Sequence, residues 1–366
     1  MHKPTKLFEP YQLGPTTLAN RIAMAPLTRN RAVAGMVPGP LAVEYYGQRA
    51  TAGLLISEAS QISQQGQGYQ DTPGIYSKEQ VAGWRKVTDR VHENGGRIFI
   101  QLWHVGRISH LSLQPNGGAP VAPSAIPAKT KTFVGGAFAD VSAPRALELS
   151  EIPGVIDSYK RAAANALEAG FDGVEVHGAN GYLLDQFAKD GTNKRTDTYG
   201  GSIENRAKLM LEAAKAVTDE IGADRTGIRI SPVTPANDVS DSNPQPLFDY
   251  IVDHLSALNL VYLHVIEGAT GGPRDVAPFD YASLRKRFKG AYMANNGYDL
   301  ALANQMLDSG AADLIAFGKP FISNPDLVER LRTGAPLNAP DKATFYGGGA
   351  KGYTDYPTLQ ASQAAE

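Results

Sequence analysis

The run His177-Gly-Ala-Asn180-Gly-Tyr182 follows directly on a strand-like Gly173-Val-Glu-Val176. Strand residues alternate sides, and glycines let the chain turn tightly after them. The imidazole of His177 and the amide of Asn180 therefore converge as two hydrogen-bond donors at the mouth of a sheet, with the phenol of Tyr182 close by. Two donors can grip a developing oxyanion while a third group delivers a proton to the neighbouring carbon. The trio suits reduction or protonation of a compound conjugated to a carbonyl or nitro group.

Such a cluster needs a rigid frame, and the chain supplies a repeating one. Eight short β-rich runs recur at Arg21–Pro26, Leu54–Ala59, Arg97–Trp103, Gly173–His177, Thr226–Ser231, Leu260–Val265, Ala291–Asn295 and Leu314–Gly318. Apolar runs this short and regularly interrupted read as parallel strands buried on both faces. Helical periods lie between them. Ile203, Ala207, Met210, Ala214, Val217 and Ile221 step by three and four behind a Ser202 cap. Ser77 and Gln80 make a capping box ahead of the stripe Val81, Trp84, Thr88, Val91. The Ala-rich segment 155–169 stops at Gly170.

The expected fold is α/β: one (β/α)8 TIM barrel spanning residues 1–366. A doubly wound open sheet is the alternative, but the chain has no Gly-x-Gly-x-x-Gly turn after a first strand. Residues 7–20 are expected to form a hairpin capping the barrel bottom. Residues 105–150 form a long Pro-, Gly- and Ser-rich loop after strand 3 on the active-site side, and residues 340–366 a C-terminal tail.

Composition narrows the function. Net charge −2 and pI near 6.4 give no electrostatic case for nucleic acid or an anionic membrane. The absence of cysteine excludes disulfides, thiolate metal sites, iron–sulfur clusters and a Cys nucleophile. Met1–Asn20 has no apolar core of a signal peptide, and no stretch approaches ~18 consecutive apolar residues. The expected setting is cytoplasmic, as a monomer or homodimer acting on a small molecule.

Barrel chemistry sits where strands meet their following loops. Those positions hold Pro26-Leu27-Thr28, Ala59, Gln101 and Trp103, His177 and Asn180, Arg229, Gly297, and Gly318-Lys319. No His-x-His pair or acidic cluster suits a metal, and Lys319 alone lies near a Schiff-base position. One amide, one guanidinium, one hydroxyl and glycine-flanked backbone suit a planar heteroaromatic ring carrying a phosphate, with the glycines after strands 7 and 8 as the phosphate site. His104 and His264 have no partner motif and read as core histidines. Trp103 and Tyr69 also fit as plain core aromatics, and Lys319 as a solvated surface lysine.

Ala25-Pro-Leu-Thr-Arg29, Ser57-Glu-Ala59, Gln101-Leu-Trp-His104, His177 to Phe187, Asn193-x-Arg195-x-Asp197-x-Tyr-Gly-Gly-Ser202-Ile-Glu-Asn-Arg206 and Phe317-Gly318-Lys319, in this order, resemble the old yellow enzyme family from about Leu7 to Tyr356. The tail Gly352-Tyr-Thr-Asp-Tyr-Pro357 is similar to the bacterial branch that includes pentaerythritol tetranitrate reductase.

The resemblance implies a non-covalent FMN, reduced by NADPH or NADH and reoxidised by an electron-poor alkene, with nitrate esters or quinones as further oxidants. By the same resemblance Thr28 would bond the flavin O4 and Gln101 the pyrimidine edge. Pro26, Leu27, Ala59 and Phe317 would contact the cofactor, and Arg229 would lie near N1 and O2. Gly297, Gly318 and Lys319 would hold the phosphate. His177 and Asn180 would grip the substrate oxygen, Tyr182 would supply the proton, and Tyr69, Trp103 and Tyr353 would line the pocket above the ring. Three departures bear on it: Lys319 stands where many relatives have arginine, which forks two phosphate oxygens as lysine cannot; Asn180 stands where some have a second histidine; and Ser231–Asn237 is less regular than usual. A 2-hydroxy-acid oxidase would need an arginine pair for a carboxylate, which this set lacks. A flavin carrier would have no reason to gather an acid and two donors.

Overall fold

In the computed structural model, which describes residues 5–363, each of the eight β-rich runs forms a parallel strand. They are β1 (Ile22–Met24), β2 (Leu54–Ile56), β3 (Ile98–Trp103), β4 (Gly173–Gly178), β5 (Thr226–Ile230), β6 (Tyr262–Ile266), β7 (Ala291–Asn295) and β8 (Leu314–Phe317). Pairing runs in chain order from β1 to β8 and closes where β8 meets β1. Residues 1–4 of the N-terminal segment and 364–366 of the expected tail lie outside the described residues. The open-sheet alternative is excluded by the closure.

The helices follow the periods. Pro40–Gln48 is α1, Lys78–Glu93 α2, Ile152–Glu168 α3, Ile203–Ile221 α4, Pro244–Ala257 α5, Tyr281–Arg287 α6, Leu300–Asp308 α7 and Leu327–Thr333 α8. Ser77 and Gln80 form both halves of the capping box on α2, and Ser202 accepts from the Asn205 N–H to start α4. The α2 stripe Val81, Trp84, Thr88 and Val91 is buried against the barrel.

Strand alternation divides the core in two. Outward residues such as Ile100, Leu102, Val174, Val176, Ile228 and Leu263 pack beneath the helices. Inward residues Ala23, Leu54, Ile56, Phe99, Tyr262, Met293, Leu314 and Ala316 fill the lower barrel. The hairpin Tyr11–Leu13/Thr16–Leu18 plugs that end, its Leu13 and Leu18 buried in the same cluster. Above the apolar layer the inward positions turn polar: Gln101 on β3, Glu175 and His177 on β4, Arg229 on β5 and His264 on β6.

The segment 105–150 departs from expectation. It contains an antiparallel hairpin, Lys131–Val134 with Ala137–Asp140, and a short parallel pairing of Val121–Ala122 with Arg145–Ala146. The turn is Gly135-Gly136, both at positive φ (60° and 78°), as a tight two-residue hairpin turn requires. Phe133 and Phe138 meet edge-on at 5.4 Å across it. No helix among the described residues is long and apolar enough to cross a membrane.

Candidate active site

A cavity of about 680 Å³ opens at the C-terminal ends of the strands, within the roughly 300–1,000 Å³ typical of small-molecule sites. Its wall includes Pro26, Leu27, Thr28, Asn180, Arg229, Gly297, Phe317, Gly318 and Lys319, so strand ends far apart in sequence converge as expected. Gly297 takes φ 68°, a left-handed conformation a side chain would strain. Lys319 is solvent-exposed, and its Nζ donates to the Gly271 carbonyl at 3.0 Å.

Beside this cavity the donor run forms a second cluster. His177, the last residue but one of β4, lies directly opposite Arg229 on β5. Trp103 stacks near His177, with ring centroids 6.2 Å apart, and meets Tyr182 edge-on at 4.9 Å. Tyr69 also stacks on Trp103, with centroids 5.8 Å apart, and its hydroxyl lies 3.0 Å from that of Tyr182. Tyr69, Trp103, His177 and Tyr182 are thus neighbours. Ala59 packs into the same patch as Trp103, Tyr69 and Tyr182.

The electrostatics match the geometry. Burial, Arg229 and His264 hold His177 well below the usual histidine range, so its imidazole is neutral and donates through one nitrogen. Burial raises Tyr182 while Tyr69 and Asn237 pull it back, leaving a phenol protonated at neutral pH. The contact between the two tyrosines raises Tyr69 and lowers Tyr182, so an ionised Tyr182 is the one that accepts, while in the neutral pair either hydroxyl can donate. Asn180 sits at φ 60°, with its N–H on Ser231 Oγ at 2.8 Å and its carbonyl taking the Asn237 amide at 2.8 Å. Thr270 donates to Asn180 Oδ1 at 2.6 Å, so the NH2 is the end left to donate.

Among the described residues Arg229 is held by one side-chain bond, Nη2 to Asn295 Oδ1 at 2.7 Å, and its buried Nε has no partner. Burial lowers it to about 10, still a cation at neutral pH. A buried cation with an orphaned donor lining a cavity calls for an acceptor there. An anionic, hydrogen-bond-accepting ligand edge would answer it.

The family profile of NADH:flavin oxidoreductase / NADH oxidase matches residues 6–338. The chain belongs to that family. It is 46% identical to 12-oxophytodienoate reductase 7 of Oryza sativa subsp. japonica, across 98% of this chain and 95% of the relative. It is 43% identical to 12-oxophytodienoate reductase 2 of Arabidopsis thaliana, across 97% and 96%. Among solved structures, morphinone reductase in complex with tetrahydroNAD superposes with TM-score 0.92 at 49% identity over 98% of each chain. The old yellow enzyme homologue from Zymomonas mobilis superposes with TM-score 0.94 at 45% identity, over 97% and 100%. The protein is a flavin oxidoreductase of old yellow enzyme type.

Of the expected site residues of this oxidoreductase, Ala59, Tyr69, Gln101, Trp103, His177, Tyr182 and Tyr353 are not on the wall of the cavity itself. Tyr353 packs with the main core and not with the Trp103 patch: it is fully buried, stacked on Tyr45 at 4.2 Å, with the Arg29 and Arg31 guanidinium groups 5.0 and 4.5 Å from its ring centre. The tail residues on the cavity wall are Phe345 and Tyr346. Arg29 pins that stretch by donating to Phe345 O at 3.0 Å and Gly352 O at 2.7 Å, and Arg31 by donating to Gly349 O at 3.0 Å. Tyr346 also meets Phe138 of the loop hairpin, with ring centroids 6.3 Å apart.

Glu175 and Thr270 were also missed as contributors to the site. His264, read as a plain core histidine, has a partner: its Nδ1 lies 2.8 Å from Glu175 Oε2. The signal was an acidic residue two places before His177, hence inward on the same strand face. Nothing in the sequence pointed to Thr270, whose partner Asn180 is 90 residues away. His104 is a core residue, lowered by burial to about 3, and receives the Gly106 N–H at 3.1 Å.

Proposed function

We propose that the chain is an NAD(P)H-dependent ene-reductase with non-covalent FMN, acting on α,β-unsaturated carbonyl or nitro compounds. The observation that carries this reading is the convergence of neutral His177, the Asn180 amide and the protonated Tyr182 phenol beside a cavity lined by buried Arg229. The residues fit the cofactor. Arg229 offers an orphaned donor and a fixed positive charge to an electron-accepting ring edge, Thr28 a hydroxyl, Gln101 an amide, and Pro26, Leu27, Ala59 and Phe317 apolar contact. Gly297, Gly318 and Lys319 lie after strands 7 and 8, where barrels commonly hold phosphate. FMN bound there supplies hydride acceptance from a reduced nicotinamide and hydride delivery to an electron-poor alkene.

The protein's part is binding, polarisation and proton transfer. His177 and Asn180 donate to the carbonyl or nitro oxygen and stabilise the charge that develops on it as the β-carbon accepts hydride; one such donor is typically worth ~10²–10³ in rate. Tyr182 gives its proton to the α-carbon, and Tyr69 stabilises the phenolate left behind. Trp103 and Tyr69 wall the substrate side, and Tyr346 takes the rim role expected of Tyr353. The relatives are named for 12-oxophytodienoate and morphinone, both oxo compounds by name, which supports an oxo-substituted substrate.

The deciding experiment adds NADPH to the purified yellow protein under nitrogen and then cyclohexenone. Bleaching of the flavin followed by recolouring is expected. Bleaching with no response to the enone would defeat the ene-reductase reading, and a colourless protein that binds no added FMN would defeat the flavin reading itself.

A further inference from the structure

Glu175 sits in the barrel interior with no exposed surface, and three donors from two other strands, β3 and β6, converge on it. Its Oε1 accepts from Gln101 Nε2 at 2.7 Å, and its Oε2 from Tyr262 Oη at 3.1 Å and His264 Nδ1 at 2.8 Å. The register builds this arrangement, since Glu175 lies opposite Gln101 on one side and Gly227 on the other. A Cβ on Gly227 would fall 2.2 Å from Tyr262 Cζ, so glycine there is what lets the Tyr262 ring cross toward Glu175. Arg229 supplies the neighbouring cation. His264 is pushed down by burial and is neutral; its unpartnered Nε2 is then a bare lone pair, which costs less than a buried N–H without an acceptor.

An ionised carboxylate accepts hydrogen bonds and donates none. It therefore removes the ambiguity of the Gln101 amide: the NH2 must face Glu175, and the carbonyl Oε1 must face the other way. We propose that Glu175 is a positioning residue that forces Gln101 to present an acceptor to the bound ring, so that the site reads an imide N–H such as N3–H of a flavin. This rests on the proposed flavin site and adds what fixes its hydrogen-bonding polarity.

The Glu175→Gln variant tests it, because the three donors then meet one oxygen and one NH2. The oxygen satisfies most donors by facing Tyr262 and His264. The NH2 is then left facing Gln101, which must turn over and show its own NH2 to the ring. Dissociation constants are measured by flavin fluorescence quenching on protein freed of its flavin, with FMN and with 3-methyl-FMN, which has no N–H to donate. Wild type should favour FMN by about tenfold, the scale of one lost hydrogen bond at roughly 1.4 kcal/mol per decade. In Glu175→Gln, FMN should weaken by about tenfold while 3-methyl-FMN stays within about twofold, and Glu175→Asp should restore part of the preference. Glu175→Leu should also lose the preference, which keeps the test open if the Gln variant does not fold. A Glu175→Gln or Glu175→Leu protein that prefers FMN as wild type does overturns the proposal alone, as does a wild type that binds both flavins equally. A wild type that binds neither overturns the flavin site and this proposal together.

Discussion

Removing the Tyr69 hydroxyl isolates the stabilisation of the proton donor from the donor itself. In the resting site the Tyr69 and Tyr182 oxygens lie 3.0 Å apart, a neutral hydrogen bond worth about 1 kcal/mol net. When Tyr182 gives up its proton the same bond becomes charge-assisted, worth about 1.5–3 kcal/mol. Only the difference, roughly 0.5–2 kcal/mol, favours the proton transfer, and at ~1.4 kcal/mol per decade it amounts to about 2–30-fold in rate. Tyr182→Phe removes the proton itself and should cost ~10²–10⁴. Tyr69→Phe should therefore fall between wild type and Tyr182→Phe in enone reduction. It should also show a larger solvent deuterium isotope effect, because proton transfer limits the rate more. Oxidation of NADPH needs no such proton and should change less than about twofold in either variant. Stopped-flow absorbance resolves the halves: oxidised enzyme with NADPH, then reduced enzyme with cyclohexenone. If Tyr69→Phe reduces the enone at the wild-type rate, the tyrosine bond does no work in the reaction; if both halves slow equally, Tyr69 acts through packing.

Three further outcomes follow from the same structure. Arg229→Met should either lose FMN or lower its midpoint potential: a charge at ~4 Å and effective dielectric 20 is worth about 4 kcal/mol before Glu175 offsets part of it, and about 1.4 kcal/mol is ~30 mV for a two-electron couple. Dye-equilibrated reductive titration reads this, and full occupancy at an unchanged potential would make Arg229 purely structural. Tyr353→Ala should cost ~3–5 kcal/mol in urea unfolding, as other buried aromatic truncations do, while Tyr346→Ala should leave stability within about 0.5 kcal/mol and raise the enone KM; the reverse pattern would restore Tyr353 to the cavity. Glu58 is buried and raised to about 7, mainly by burial, although it accepts the Arg29 N–H at 3.1 Å. A carboxyl raised in the folded state binds its proton more tightly there than in the unfolded chain. Its contribution is therefore full below pH ~4.5 and fades by pH ~7, a loss on the order of 3 kcal/mol. Urea midpoints from pH 5 to 8 should fall less steeply in Glu58→Gln, and equal slopes would refute the assignment.

The residues legible in the sequence are those whose environment is local. The donors His177, Asn180 and Tyr182 belong to one turn, and each strand end could be read from its own short apolar run, so the barrel and most of its rim could be assembled without long-range information. The misreadings share the opposite property. Tyr346 and Tyr353 are two aromatic residues of one Gly-rich tail, and neither periodicity nor spacing separates them. What separates them is Arg29, more than 300 residues earlier, whose guanidinium takes Phe345 O and Gly352 O and so draws Tyr353 inward while Tyr346 stays on the rim. Glu175 was visible as an acid on an inward strand position, yet its meaning required the register that sets Gln101 and Gly227 beside it. The Gly135-Gly136 turn is the exception that was local and still passed over: two glycines between Phe133-Val134 and Ala137-Phe138 are a hairpin signal by themselves, masked by the Pro- and Ser-rich surroundings. The hairpin brings Phe138 to Tyr346, a residue of the cavity wall, so a local signal passed over and a contact between distant segments meet beside the cavity. That edge is built from segments distant in sequence, which is why no single stretch of the chain reveals it.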